Sequence, residues 1–171
     1  MNKLASAATL FAALAAPAMA EDIPADIAAQ QFARIASLEG RWRVAETDAL
    51  EIVFEITARG QTVVERWETA SGLHSMTVYH RDGEKIIATH YCPQGNQPRL
   101  ETVTGDAAGG KDHIAFALRD ITGLDEGESH AFSLAFTFAE DGSLVRSETY
   151  RSAAGADEPG SYTLNRLPAR D

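Results

Sequence analysis

Residues 38–44, Leu38-Glu39-Gly40-Arg41-Trp42-Arg43-Val44, separate two kinds of pattern in a chain of 171 residues. On the N-terminal side, residues 24–37 read PADIAAQQFARIAS. Ile27, Gln31, Phe32 and Ile35 fall roughly on one helical face there, and Pro24 suits a first turn. Glu39-Gly40 supplies the stop. Beyond Gly40 the apolar period becomes two. Residues 41–47, 51–58 and 62–69 read as strands rich in Val, Ile, Phe, Trp and Thr, with a turn at Arg59-Gly60. Residues 74–80 and 84–91 form a hairpin across Arg81-Asp82-Gly83. Residues 132–138 and 144–151 form another across Glu140-Asp141-Gly142. Strands at 98–104, 113–119 and 161–167 complete the set, with Pro98 at a strand start because it has no N–H for the ladder. One helix followed by nine or ten short antiparallel strands predicts an all-β, up-and-down barrel, since closure removes exposed edges. A two-sheet sandwich is the alternative.

The first twenty residues stand outside this pattern. A positive start, an apolar run and Ala18-Met19-Ala20 form the layout of a secretory signal peptide cleaved after Ala20. The apolar run is short for a membrane span, and no later stretch is long enough for one. The expectation is an exported protein, periplasmic or extracellular, with residues 21–171 as a single domain. Losing Lys3 leaves 25 acidic against 14 basic residues. A surface of that sign excludes nucleic acid and anionic membranes as natural partners. The single cysteine, Cys92, permits no internal disulfide, and a buried thiol is its plainest role.

The entry Gly40-x-Trp42 after a helix, together with the terminal run Tyr162-Thr163-Leu164-Asn165-Arg166, resembles the calycin superfamily of lipocalins, fatty-acid-binding proteins and nitrobindin-like barrels. That likeness implies that Gly40, Trp42 and Arg166 close the barrel floor, with the guanidinium stacked on the indole. The stretch His90-Tyr91-Cys92 to Arg99 is similar to that of small exported bacterial barrels, a likeness that implies no particular activity. Nitrobindin-like proteins hold haem through a histidine in the last strands. Residues 161–167 contain none, and no histidine follows His130.

The least generic segment is residues 89–99, THYCPQGNQPR. Its meaning depends on the first hairpin. If Arg81-Asp82-Gly83 is a three-residue turn, His80 pairs with Glu84, and His74 then meets His90. One face carries His74, Met76, Val78, Ile86, Ala88 and His90, with Cys92 just beyond. A two-residue loop places His74 opposite Tyr91 instead. In the first register His74, His90 and Cys92 are candidate ligands for zinc, copper or haem iron, with Met76 adding a thioether. A zinc site needs three or four ligands, and only the two histidines are placed with any logic. Arg99 could take a ligand carboxylate, as an arginine does in fatty-acid binders, or pair with Glu101 or Glu68.

Glu65, Trp67 and His74 lie on neighbouring strands, where a histidine and a carboxylate could do acid–base work. No nucleophile elbow, zinc-protease motif, phosphate loop or dinucleotide fingerprint is present. The run Phe132, Leu134, Phe136, Phe138 reads as an apolar barrel face, either core or cavity lining. The expectation is therefore a ligand-binding barrel without catalysis. It would take a small hydrophobic or amphipathic ligand, with or without an anionic group, using His74, Met76, His90, Cys92 and Arg99. The alternative is a haem or transition-metal protein using His74 and His90. An enzyme built on His and Glu comes third.

Overall fold

A computed structural model describes residues 26–103 and 112–169. The expected signal peptide, Pro24 and Thr104 lie outside the described residues. Helix α1 spans Ile27–Ala36. Ten strands follow: β1 Gly40–Val44, β2 Glu51–Thr57, β3 Thr62–Thr69, β4 Gly72–Asp82, β5 Lys85–Tyr91, β6 Gln97–Thr102, β7 His113–Thr122, β8 His130–Phe138, β9 Leu144–Arg151 and β10 Asp157–Arg166. Each pairs antiparallel with its sequence neighbour, and β1 pairs with β10 to close the barrel. Among the described residues no helix is long and apolar enough to cross a membrane.

The helix begins at Asp26, whose carboxylate accepts the Ala29 N–H at 2.8 Å. It buries Ala28, Phe32 and Ile35 and lies across the end where β1 starts and β10 finishes. Asp26 reaches Arg81 at 2.5 Å, and the Arg34 guanidinium sits 4.2 Å over the Phe138 ring, both at that same end. The floor follows from the 38–44 stretch. Trp42 Nε1 donates to the Leu38 carbonyl at 2.8 Å. Arg166, opposite Trp42 in the ladder, stands 4.4 Å over its ring and donates to the Glu39 and Ser37 carbonyls at 2.5 and 2.7 Å. Those carbonyls are the loose ends that a helix C-terminus leaves. Gly40 has φ +126°, and a Cβ there would stand 3.1 Å from Arg166 Nη1, so glycine is required twice over.

Above the floor the interior is aromatic and aliphatic. Trp42, Phe54, Tyr79, Phe116 and Phe136 interlock edge to face or tilted, at centroid distances of 5.7 to 6.5 Å. Ile52, Val63, Ile86, Leu100, Ile114, Leu144 and Leu164 fill between them, joined by Phe32, Ile35 and Leu38. This half of the barrel is packed.

The first hairpin departs from expectation. Asp82 pairs with Lys85 across a two-residue loop, so His80 meets Ile87 and Thr77 meets His90. Gly83 takes φ +59° in the first loop position, where a type II′ turn uses glycine. The register differs by three residues from the one that pairs His80 with Glu84. An odd displacement turns β4 over. Ser75, Thr77 and Tyr79 face inward, and His74, Met76, Val78 and His80 do not. The gain is the Tyr79 ring, fully buried against Phe116 and Phe136. The β5 face is as expected, with Ile86, Ala88 and His90 inward. In β8 a bulge between Ala131 and Ser133 puts Ala131 inside and turns Phe132 out of the apolar row, under Arg151 at 3.3 Å. The second hairpin, which its sequence leaves open to a two- or three-residue turn, has the three-residue one, with Ala139 N–H bonded to the Ser143 carbonyl at 3.0 Å.

Candidate functional site

The end of the barrel opposite α1 is bounded by the loops 45–50, 70–71, 92–96, 123–129 and 152–156. The inward rows change character towards it. In β9 the inward row runs Leu144, Arg146, Glu148, Tyr150; in β10 it runs Leu164, Tyr162, Gly160. In β3 it is Val63, Glu65, Trp67, and in β4 it is Tyr79, Thr77, Ser75. Aliphatic residues at the closed end therefore give way to a polar set at the open end.

The deepest polar layer is a buried ion pair. Arg146 and Glu65 side chains are 1% and 0% exposed, and Arg146 Nε donates to Glu65 Oε1 at 3.1 Å. Glu65 also accepts Trp67 Nε1 at 2.7 Å and the Tyr79 hydroxyl. An unpaired charge at that depth would be expelled or neutralised, and these contacts are what hold it there. Burial opposes the Arg146 charge, but Glu65, Tyr79, Glu148 and Tyr150 outweigh it and the guanidinium is held firmly protonated. Burial and the neighbouring Glu65 carboxylate push the Tyr79 phenol well above its usual range. Arg146 lies 5.6 Å over Phe136 and 5.7 Å over Trp67, which puts a cation between the apolar half and the mouth.

The next layer is less enclosed. The Glu148 side chain is 13% exposed, and among the described residues its one charged hydrogen-bond partner is Arg146, whose Nη1 donates at 3.4 Å. Burial raises its carboxyl above the ordinary range, against the pull of Arg146. Tyr150 and Tyr162 flank it, and both phenols are raised by burial and then by Glu148. Tyr162 meets Trp67 edge to face at 5.0 Å. Gly160, opposite Glu148 in the ladder, brings no side chain to this layer: a Cβ there would meet Tyr162 Oη at 3.7 Å and Glu148 Cγ at 3.8 Å, ordinary contact distances.

His90 completes the set. It is 4% exposed, with Nδ1 on the Thr77 hydroxyl and Nε2 on the Tyr150 hydroxyl, each at 2.9 Å. Burial, then Arg146 and His74, depress its pKa to about 4, so the ring is neutral at ordinary pH. One ring nitrogen donates and the other accepts, which makes Thr77–His90–Tyr150 a continuous relay.

The residues singled out in the sequence are thus dispersed. His90 is in the lumen. His74 is exposed, in an irregularity between Trp67/Glu68 and Leu73/Ser75, and does not face His90 across the ladder. Met76 points outward, half-buried. Cys92 is buried at the end of β5, near enough to Tyr150 to raise its phenol. Arg99 points outward in a two-pronged pair with Asp120 at 2.5 and 2.7 Å. Glu55 and Glu68 pair with Arg66 on the outside. The 92–96 turn is tied to the 123–129 loop: Asn96 Nδ2 donates to Glu128 at 3.0 Å and to the Ser129 carbonyl at 3.1 Å, and Gln94 exchanges two bonds with Ser129.

Haem or a metal does not fit this arrangement. Both nitrogens of His90 are occupied by hydroxyl groups, and His74 is not its partner across the ladder. Among the described residues no three His, Cys, Asp or Glu side chains converge as a metal site requires.

A separate groove of about 540 Å3 runs over the outer face of β7 to β10, floored by small outward side chains such as Ala115, Ala135, Ser147 and Ser161. Glu148 and Gly160 also contribute to its lining.

Glu65, Trp67 and Thr77 were absent from the ligand-binding set read from sequence, as were Arg146, Glu148, Tyr150 and Tyr162. For three of them a signal exists in the second hairpin. Its turn pairs Phe138 with Leu144, and the ladder then sets Phe136 against Arg146 and Leu134 against Glu148. An apolar row on β8 therefore demands that Arg146, Glu148 and Tyr150 face inward. No protein-family model matches the chain, and no curated protein matches it.

Proposed function

We propose that the protein is an exported, calycin-like binding protein that takes a small amphipathic ligand into the open half of its barrel. The observation that supports this is the gradient along the lumen. Below the Arg146–Glu65 pair every large inward side chain is packed to near-zero exposure. Above it Glu148, Tyr150, Tyr162 and Gly160 remain partly accessible and present hydroxyl and carboxyl groups beside aromatic faces. Such a mixture of aromatic wall and few convergent polar groups is what small-molecule sites are made of. The ligand would be short, because the packed half leaves it no deep tunnel. Arg99 plays no part in this reading.

The test uses N-phenyl-1-naphthylamine, an uncharged probe that brightens in apolar surroundings. Saturable one-to-one brightening is expected, and it is lost in Gly160→Leu. A leucine at Gly160 sets its Cβ in ordinary contact with Tyr162 and Glu148, at a backbone angle that side chains adopt, and crowds the layer they form. No brightening, or brightening unchanged in Gly160→Leu, would refute a lumenal site.

A further inference from the structure

We infer that the ligand of this lumen is an organic cation, an alkyl amine or quaternary ammonium, its head held by Glu148 between the Trp67, Tyr150 and Tyr162 rings. The inference rests on the lumenal reading above and names its ligand class. Three observations carry it.

The first is a charge count. The charged side chains that face the enclosed lumen, among the described residues, are Glu65, Arg146 and Glu148. Arg146 is matched by Glu65 at 3.1 Å, with Trp67 and Tyr79 also donating to that carboxylate. Glu148 is the charge left over. It touches Arg146 only at 3.4 Å and accepts no other hydrogen bond among the described residues. A second anion brought by a ligand would meet it as a like charge.

The second is the wall. Trp67, Tyr150 and Tyr162 all face inward around Glu148, with Trp67 and Tyr162 in edge-to-face contact at 5.0 Å. Aromatic faces attract a cation through the negative face of the ring, and an aromatic cage completed by one carboxylate is a general solution for ammonium heads. The alkyl part of the ligand would lie against the same rings.

The third is the rim. The five open-end loops contain Glu46, Asp48, Asp125, Glu126 and Glu128 and no lysine or arginine. Glu158, at the start of β10 on the row of Gly160 and Tyr162, adds a further exposed carboxylate at the mouth. Of the basic residues near that edge, Arg151 is held by Asp157 at 2.7 and 3.1 Å, and Arg43 stands outside β1 opposite Glu51. A funnel of one sign concentrates ligands of the other and raises their association rate.

The experiment displaces N-phenyl-1-naphthylamine with three octyl compounds below their micellar concentrations: octyltrimethylammonium, octanol and octanoate. Octyltrimethylammonium is expected to displace the probe at a concentration about tenfold lower than octanol, with octanoate weakest. Glu148→Gln is expected to remove the advantage over octanol while the probe itself still binds. Asp125→Asn with Glu126→Gln is expected to slow cation association and flatten its salt dependence, leaving the ranking intact. Probe binding with octanol equal to the ammonium, or octanoate ahead of it, overturns the inference and leaves the lumenal site standing. Absence of probe binding removes both.

Discussion

Replacing Arg146 by Met tests the buried layer most directly. The guanidinium is 1% exposed and its partner Glu65 is 0% exposed. Methionine keeps much of the unbranched stem that lies near Phe136 and Trp67, so little cavity forms. What is lost is the counter-charge. Glu65 would retain Trp67 Nε1 and the Tyr79 hydroxyl as donors. Two neutral donors do not offset a carboxylate out of water, and breaking one side of a buried pair costs about 3–5 kcal/mol. For a chain of this size each kcal/mol is worth about 2–4 °C in Tm, so a fall of roughly 6–20 °C is expected. Urea unfolding followed by tryptophan fluorescence measures it, with an unchanged slope showing that the surface exposed is the same. Adding Glu65→Gln to Arg146→Met should restore about 2 kcal/mol or more, because the double variant buries no uncompensated charge at this layer. A loss below about 1 kcal/mol in Arg146→Met, or no coupling in the cycle, would show that the pair is hydrated and that the packed half is not sealed from the mouth.

Two further outcomes follow from the same geometry. The His90 pKa of about 4 lies below its ordinary 6.5, so the unfolded chain takes up a proton that the native ring refuses. The stabilisation is present in full above pH 6.5 and is lost as pH falls from 6.5 to 4, on the order of 3 kcal/mol across that window. The imidazole resonances should not titrate above pH 5, and His90→Gln should flatten the urea midpoint over the same range; a ring that titrates near 6.5 would contradict its burial. At the floor, Arg166→Ala removes two bonds to the helix-end carbonyls and the stacking on Trp42. Because Arg166 is exposed, about 1–2 kcal/mol is expected from urea unfolding, and no measurable loss would mean that Trp42 closes the floor alone.

The architecture was legible where one rule acted alone. Period two after Gly40 and turn residues between the strands lead to a closed antiparallel barrel, and Gly40, Trp42 and Arg166 meet as the superfamily likeness implies. The site was not legible in β4, because there two rules conflict. Met76 and Val78 are the more apolar row, and Ser75, Thr77 and Tyr79 the more polar one. Local hydropathy puts the first row inside. The structure puts the second inside, because Tyr79 fills a gap between Phe116 and Phe136 and finds a carboxylate for its hydroxyl, and because Thr77 meets His90. Those partners come from β3, β5, β7 and β8, and no local window contains them. The same holds for Arg146, which looks misplaced in a core until Glu65, 81 residues away, is set beside it.

A barrel needs no buried salt bridge for stability, since well-packed apolar residues of the same volume often serve as well or better. The position of this one suggests a different use. With Leu at 65 and Met at 146 the packed half would simply extend upward, leaving the Trp67 indole N–H and the Tyr79 hydroxyl without an acceptor. Glu148 would then lose Arg146 at 3.4 Å, and burial would raise its carboxyl further. Arg146 therefore does two things at once. Its charge is spent on Glu65, which ends the apolar core, and its Nη1 edge pulls the Glu148 carboxyl down against the larger upward push of burial. A fold that needed only a plug would have kept the pair and dispensed with Glu148. The second acid faces inward where every deeper charged neighbour is paired, and it is the side chain on which the proposed cation site depends.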